Sequence, residues 1–390
     1  MLRQQFPIFE HKVFINSCSK GALAQPVRQA YLQYLTDWEC LGSPWELWVG
    51  KLERVRGQFA TLVGAAPNEI AVCTSVSAAV SALASALDFS GTRNKVVVDD
   101  FSFPAVAQVW HAQEASGAEV VHVPAAGNTI PLEHYAARID ERTAIVSLSH
   151  ICYFNGARQD VAAIVDLAHR HGALVLLDAY LSLGTLPIDV KVLGVDFLVG
   201  GALKYLLGSS GLAWLYVAQE NLPSLVPASS GWFTQADIFA MDIHHNTPSP
   251  TARRFEAGTP PVPNLYAAEA GLDLVLAAGV NRIAERIARL TDDIKLRAQE
   301  AGYVLATPAE HGALVCLRST DAPALVHTLE AENIVTSHRA SNLRISPHAY
   351  NEEEDIAQLF AALEKCDTLL ERRTLASRST ADRVHGRIAL

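Results

Sequence analysis

Positive charge is in short supply. Thirty-one Lys and Arg stand against 41 Asp and Glu, a net charge of −10, which argues against nucleic acid or an anionic membrane surface as the main partner. Cysteine is sparse and scattered. Cys18, Cys40, Cys73, Cys152, Cys316 and Cys366 form no CxxC pair and no Cys/His spacing, so no metal site is expected. Reduced thiols in a cytoplasmic protein are expected instead. Long apolar runs are missing as well. The 18-residue stretch without charge, Ile70 to Leu87, is built from Ser and Ala rather than Leu and Ile, and reads as strand, turn and helix instead of a membrane span. Arg3, Glu10, His11 and Lys12 interrupt the apolar residues at the start, so no signal peptide is expected there.

Half of the 390 residues are apolar and 18% are charged, which suits one large domain and a smaller one. From about Arg28 to Val217, apolar runs alternate with helical patterns. "NKVVVDD" (94–100), "GAEVVHV" (117–123), "TAIVSLSH" (143–150), "ALVLLDA" (173–179), "VDFLVGG" (195–201) and "GLAWLYV" (211–217) read as strands. "QDVAAIVDLAHRHG" (159–172) reads as an amphipathic helix stopped by Gly172. Such alternation predicts an α/β fold with a mostly parallel sheet covered on both faces. Functional groups gather at the carboxyl ends of strands in such sheets. Residues 223–263 are rich in Pro, Ser and aromatics and read as a long ordered loop region. A helical stretch from about Leu265 to Glu300 then leads to an α+β tail.

Four features carry chemistry, and each has a plainer reading. Lys204 sits among apolar neighbours in "VDFLVGGALKYLLGSSG" (195–211), where desolvation should lower its pKa and sharpen it as a nucleophile; the plainer reading is a lysine that snorkels from a strand end. The glycines around it leave room for a ligand. Asp178 ends an otherwise apolar strand and suits either a ring nitrogen or a helix N-cap. Ser75, Val76 and Ser77 stand where a strand turns into a helix, a place that offers backbone N–H groups and a helix dipole to an anion; an ordinary helix cap is the common alternative. Phe103, before Pro104, could stack on a planar ligand or simply pack in the core. An anion cradle, an aromatic platform, an acid and a desolvated lysine together describe pyridoxal phosphate chemistry.

The sequence resembles the class V aminotransferases of the type I pyridoxal-phosphate fold, a family that includes kynureninase, cysteine desulfurases and isopenicillin N epimerase. The segments that carry the resemblance are "LSHICYFNGARQDVAAIVDLAHRHGALVLLDAYLSLGTLPIDV" (148–190), "VDFLVGGALKYLLGSSG" (195–211), "SGWF" (230–233), "ARRFEAGTPPVP" (252–263) and "LRISPHAYNEEED" (343–355). It implies a mostly parallel seven-stranded sheet in a large domain over 26–263. A small α+β domain over 264–370, an N-terminal segment 1–25 at the active-site mouth and a flexible tail 371–390 complete the expected layout.

The same resemblance implies pyridoxal 5′-phosphate as cofactor, with Lys204 as the Schiff-base lysine and Asp178 as the pyridine-nitrogen partner. Ser75, Val76 and Ser77 fall on the phosphate loop, Phe103 on the stacking position, and His150 beside the cofactor. Trp232 and Thr259 match positions that reach the phosphate, Thr259 from a neighbouring subunit, which implies a homodimer. Arg344 matches the arginine that grips the substrate carboxylate. Ser17, Cys18 and Lys20 in "INSCSKGAL" (15–23) are placed at the substrate pocket, and Trp45 and Trp48 at an interface.

The chain departs from the pattern at three positions. Leu181 replaces the usual His or Gln three residues after the aspartate. Leu203 and Val106 replace a Tyr and an Asp of kynureninase. No cysteine stands in "NIVTSHRASNLRIS" (333–346), which argues against a persulfide mechanism. The resemblance therefore points to an amino-acid lyase or hydrolase of the kynureninase or C–S lyase type. Aminotransferase comes next, then epimerase, and a cofactor-binding but catalytically idle homologue stands as the non-enzyme reading.

Overall fold

The computed structural model describes residues 2–373. In chain order, β1 (Val13–Phe14), β2 (Ile70–Cys73), β3 (Lys95–Asp99), β4 (Glu119–Val123), β5 (Thr143–Ser149), β6 (Leu174–Asp178), β7 (Phe197–Gly201) and β8 (Ala213–Val217) are followed by β9 (Val315–Arg318), β10 (Ile334–Val335), β11 (Ser337–Arg339) and β12 (Asn342–Ile345). Seven of them form the central sheet, in the order β2–β8–β7–β6–β5–β3–β4. The pairs around β3, β5, β6 and β7 are parallel. β8 runs antiparallel to both neighbours. The link 202–212 between β7 and β8 is too short for a crossover helix, so the chain must reverse there. That link carries Lys204. The α/β expectation with a mostly parallel seven-stranded sheet holds.

The apolar runs are apolar because both faces are covered. Val96, Val97, Val98, Val175, Leu176, Leu177, Phe197, Leu198 and Val199 have no exposed surface. Asp160 caps helix Val161–Arg170 by accepting from Ala163 N at 3.2 Å. One buried ion pair secures the edge of the sheet. Arg56 donates to Glu256 at 2.5 Å and to the Ile70 carbonyl at 2.6 Å, and Glu256 also accepts from Val72 N at 2.9 Å. These bonds fix β2, and with it the turn that follows.

Two expectations change. The long helical stretch is two helices, Val262–Ala278 and Val280–Glu300, broken at Gly279 with φ +82°, a backbone state no α-helix continues through. Residues 371–373 of the expected flexible tail are packed. Glu371 N donates to Arg318 O at 3.0 Å and Arg373 N to Gly302 O at 2.9 Å, so these residues pack on β9 and its neighbours. The remainder of that tail, 374–390, lies outside the described residues.

β9, β11 and β12 form a small antiparallel sheet. The N-terminal segment joins this part of the molecule. β1 pairs with β10 in parallel, Asn16 bridges to Ser346, and Arg3 donates to Asp355 at 2.8 Å. That brings Cys18 and Ser19 against the carboxyl edge of the central sheet.

Candidate active site

A cavity of about 420 Å³ opens along that edge. Each strand supplies the residues just past its end. Thr74, Ser75, Val76 and Ser77 follow β2. Phe101 and Phe103 follow β3, Ser149, Ile151 and Tyr153 lie at the end of β5, and Asp178, Tyr180 and Leu181 at the end of β6. Leu203, Lys204 and Ser210–Leu212 come from the link between β7 and β8, while Cys18, Ser19, Arg339 and Arg344 close the far wall.

Burial pushes the Lys204 amine down to about 8, against the pull of Asp178; the Arg344 and Arg339 charges act with burial. Its Nζ stands 4.3 Å from the centre of the Tyr180 ring and 5.7 Å from that of Phe103, within cation–π reach of both. Burial raises the Asp178 carboxyl above its ordinary range, opposed by the Tyr180 N–H and by the Lys204 charge. Its Oδ1 accepts from Tyr180 N at 2.9 Å. Helix Val76–Ala84 points its first turn at the cavity, with Ser75 as N-cap accepting from Ala78 N at 3.1 Å. Ser77 Oγ donates to Ala105 O at 3.1 Å and ties this turn to the Phe103 loop.

The glycines beside Lys204 have a use other than room for a ligand. A Cβ on Gly200 would run into Leu183 Cδ1. One on Gly201 would meet the Tyr180 hydroxyl and lie 2.5 Å from Tyr180 Cζ. The two glycines therefore make room for side chains of the β6 loop. Gly21 acts in the same way from the N-terminal segment. Its N–H donates to Leu203 O at 2.8 Å, and a Cβ there would strike the Lys204 carbonyl.

Arg344 is 3% exposed. Its Nη1 donates to Tyr153 O at 3.0 Å, and its Nη2 donates to Ser19 Oγ at 2.8 Å and Ser337 Oγ at 2.9 Å. Its Nε is buried with no partner among the described residues. A buried donor left over in this way is costly unless a ligand accepts from it.

Several expected site residues lie elsewhere. His150 is buried beside the sheet edge but does not line the cavity; its Nδ1 pairs with Ser182 Oγ at 2.9 Å, and burial pushes it down to about 4. Ser17 is fully buried against Tyr350, Oγ to Oη 2.7 Å, and its neighbours Cys18 and Ser19 reach the cavity instead. Lys20 lines a separate cleft with Arg28 and Tyr31. Trp232 donates its Nε1 to Ile238 O and packs on Trp45, at 5.3 Å between ring centres, away from the cavity. Thr259 lines an adjoining cleft that shares Thr74 with the main cavity. Val106 is core, while Leu181 and Leu203 do line the site.

Sequence reading missed Thr74, Ser19, Tyr153, Tyr180 and Arg339. It also missed the buried cluster beneath the wall, although "DD" ends the strand it recognised. Asp99, pushed up to about 6 by burial, accepts from Ser149 N at 2.8 Å, Gln159 Nε2 at 2.6 Å and Tyr135 Oη at 3.1 Å. That cluster locks the ends of β3 and β5 together under Phe101 and Phe103.

The wall residues fit pyridoxal phosphate as a set. The helix start could take the phosphate, Asp178 a ring N–H, Phe103 the ring edge or face, and the Lys204 amine the aldehyde. Among the described residues, no group of three His, Cys, Asp or Glu is placed to hold a metal ion, and no helix is long and apolar enough to cross a membrane.

The family model described as Aminotransferase class-V matches residues 21–359. An uncharacterized aminotransferase of Bacillus subtilis, YcbU, is 37% identical over 357 residues, covering 91% of this chain and 94% of the relative. A kynureninase of Geobacillus thermodenitrificans is 26% identical, covering 93% of this chain and 90% of the enzyme. Among solved structures, a lysine-to-alanine mutant of C-DES with glycine covalently linked to its PLP cofactor superposes with a TM-score of 0.85. It is 21% identical and covers 93% of this chain and 98% of that one. At that identity the likeness concerns the fold.

Proposed function

We infer the reaction from an established starting point: this chain belongs to the aminotransferase class-V family, and its cofactor is pyridoxal 5′-phosphate. It is an enzyme of amino-acid chemistry. The reading that the site supports best is a lyase or hydrolase that breaks a bond at Cβ, as in the kynureninase and C–S lyase group. What supports that choice is the similarity to kynureninases over nearly the whole chain; the chemistry common to every reading is carried by Lys204, a cavity amine held at about 8 that shares the cavity wall with the acid and the helix start that the cofactor needs.

When bound, the cofactor draws electrons away from Cα of the amino acid. The chain's own residues do the rest. Arg344 holds the α-carboxylate, and its unpartnered Nε completes a forked grip. Lys204 removes the Cα proton, a task for which an amine near neutral pH is suited. Asp178 keeps the ring nitrogen protonated, and the Val76–Ala84 helix start holds the phosphate. Among the described residues Cys18 is the one cysteine on the cavity wall, and Cys316 is fully buried with its thiol pushed far up; departure of a leaving group from Cβ needs no protein persulfide.

Transamination is the second reading, favoured by the name of the Bacillus subtilis relative. Thr259 stands outside the cavity of its own chain, which supports a homodimer in which a second subunit brings it to the site. The six cysteines are unpaired, as suits a reducing cytoplasm.

Borohydride treatment of the loaded protein followed by peptide mass mapping tests the site. The cofactor should be fixed on Lys204, and Lys204→Ala should lose the reducible visible band. Fixation elsewhere sinks the assignment. An amino-acid screen then separates the readings: pyruvate or alanine release without a keto acid supports the lyase, and strict dependence on a keto acid supports the transaminase.

A further inference from the structure

We propose that the substrate is an amino acid whose side chain carries a second acidic group, and that Arg339 receives that group. The proposal rests on the reading of Arg344 as the α-carboxylate site.

β11 and β12 form an antiparallel hairpin in which Ser337 lies opposite Arg344, His338 opposite Leu343, and Arg339 opposite Asn342. Side chains alternate between the two faces of a strand, so Arg339 and Arg344 share one face. Leu343, on the other face, is fully buried in the core. The two arginines are diagonal neighbours, with backbones about 7–8 Å apart, and both line the cavity.

Two guanidiniums placed this way repel one another, and neither is ion-paired with a carboxylate among the described residues. Arg344 donates to a carbonyl and two hydroxyls, and Arg339 donates to the His338 carbonyl. All of these acceptors are neutral. Among the described residues Asp178 is the only carboxylate on the cavity wall, against the three cations Lys204, Arg339 and Arg344, and it lies at the sheet edge rather than on the hairpin. Both guanidiniums also depress the Lys204 amine through their charge, so all three share one electrostatic environment.

A simple α-amino acid brings one carboxylate, which Arg344 takes. Arg339 is then left without a counter-charge at the mouth, where it is exposed. A second carboxylate or similar oxyacid at the end of a short side chain fills that gap and points toward the opening. Recognition of this kind yields discrimination against an uncharged isostere more than raw affinity.

The test is a titration of the holoenzyme with aspartate, asparagine, glutamate and glutamine, followed through the visible band of the cofactor and by calorimetry. In the wild type each acid should bind at least about tenfold more tightly than its amide, the scale of one partly desolvated charge pair. In Arg339→Gln the acid-to-amide ratio should fall toward one, and Arg339→Lys should keep part of the preference. Equal binding of acid and amide in the wild type overturns the proposal, as does an unchanged ratio in Arg339→Gln. In both cases a band that still responds to amino acids leaves the family site standing. A protein that forms no such band overturns both.

Discussion

Substituting Gly201 by Ala tests whether the glycines near Lys204 serve the protein or its ligand. Gly201 ends β7 and has an ordinary extended backbone, where Ala is normally preferred to Gly by about 0.5–1 kcal/mol. The new Cβ would meet the Tyr180 hydroxyl and lie 2.5 Å from Cζ and 2.9 Å from Cε2. The Tyr180 ring must therefore move, and overpacking of this kind costs about 1–3 kcal/mol. The net expectation for Gly201→Ala alone is a loss of about 1–2 kcal/mol. A Tyr180→Ala background removes the three atoms nearest that Cβ, and the same substitution should become neutral or stabilising by up to about 1 kcal/mol. Urea unfolding of wild type, both single variants and the double variant gives the coupling directly. A penalty of the same size in both backgrounds would refute the reasoning, because Gly201 would then be guarding space for something other than Tyr180.

Lys204→Met should stabilise the cofactor-free protein by about 3 kcal/mol at pH 7. The amine sits at about 8 when folded and near 10.5 when unfolded, so the unfolded chain binds more protons between those values. The lysine's destabilising effect is therefore full below pH 8 and fades as pH rises through 10.5. Unfolding curves at pH 7 and pH 10 check this, and a gap that widens with pH contradicts it. Arg56→Met strands the Glu256 carboxylate that Arg56 now pairs with at 2.5 Å, and should cost about 3–5 kcal/mol in the same assay; a loss under about 1 kcal/mol would mean the pair adds little. Subunits carrying Lys204→Ala, mixed and refolded with subunits carrying Thr259→Val, should regain up to about a quarter of wild-type turnover if sites are shared across a two-fold interface. No recovery, with mixed dimers demonstrated by mass, would place Thr259 outside the partner's site.

Sequence alone carried the fold because the cause is local. Runs such as "KVVVD" and "LVLLD" are too apolar to leave either face in water, and the capped helix Val161–Arg170 between β5 and β6 makes the parallel crossover. It also carried Lys204 and Asp178, since a charged residue in an apolar run is visible without coordinates, while Arg344 was found through the family resemblance alone. The break at Gly279 escaped because helix-forming residues continue on both sides of it, and only the positive-φ backbone there ends the helix.

Tertiary structure decided the rest, and for one physical reason: the cavity is assembled from the ends of five strands, the N-terminal segment and a distant hairpin. Which of Ser17, Cys18 and Ser19 faces inward depends on how that segment packs on Tyr350. His150 turns to Ser182 because its own backbone is already paired to the Asp178 carbonyl at 2.9 Å. Arg339 gains meaning only through its register against Asn342. "VGGALKYLLG" proclaims a lysine in the wrong solvent, but the purpose of its glycines becomes visible only when Tyr180 arrives from another strand to fill the space they leave.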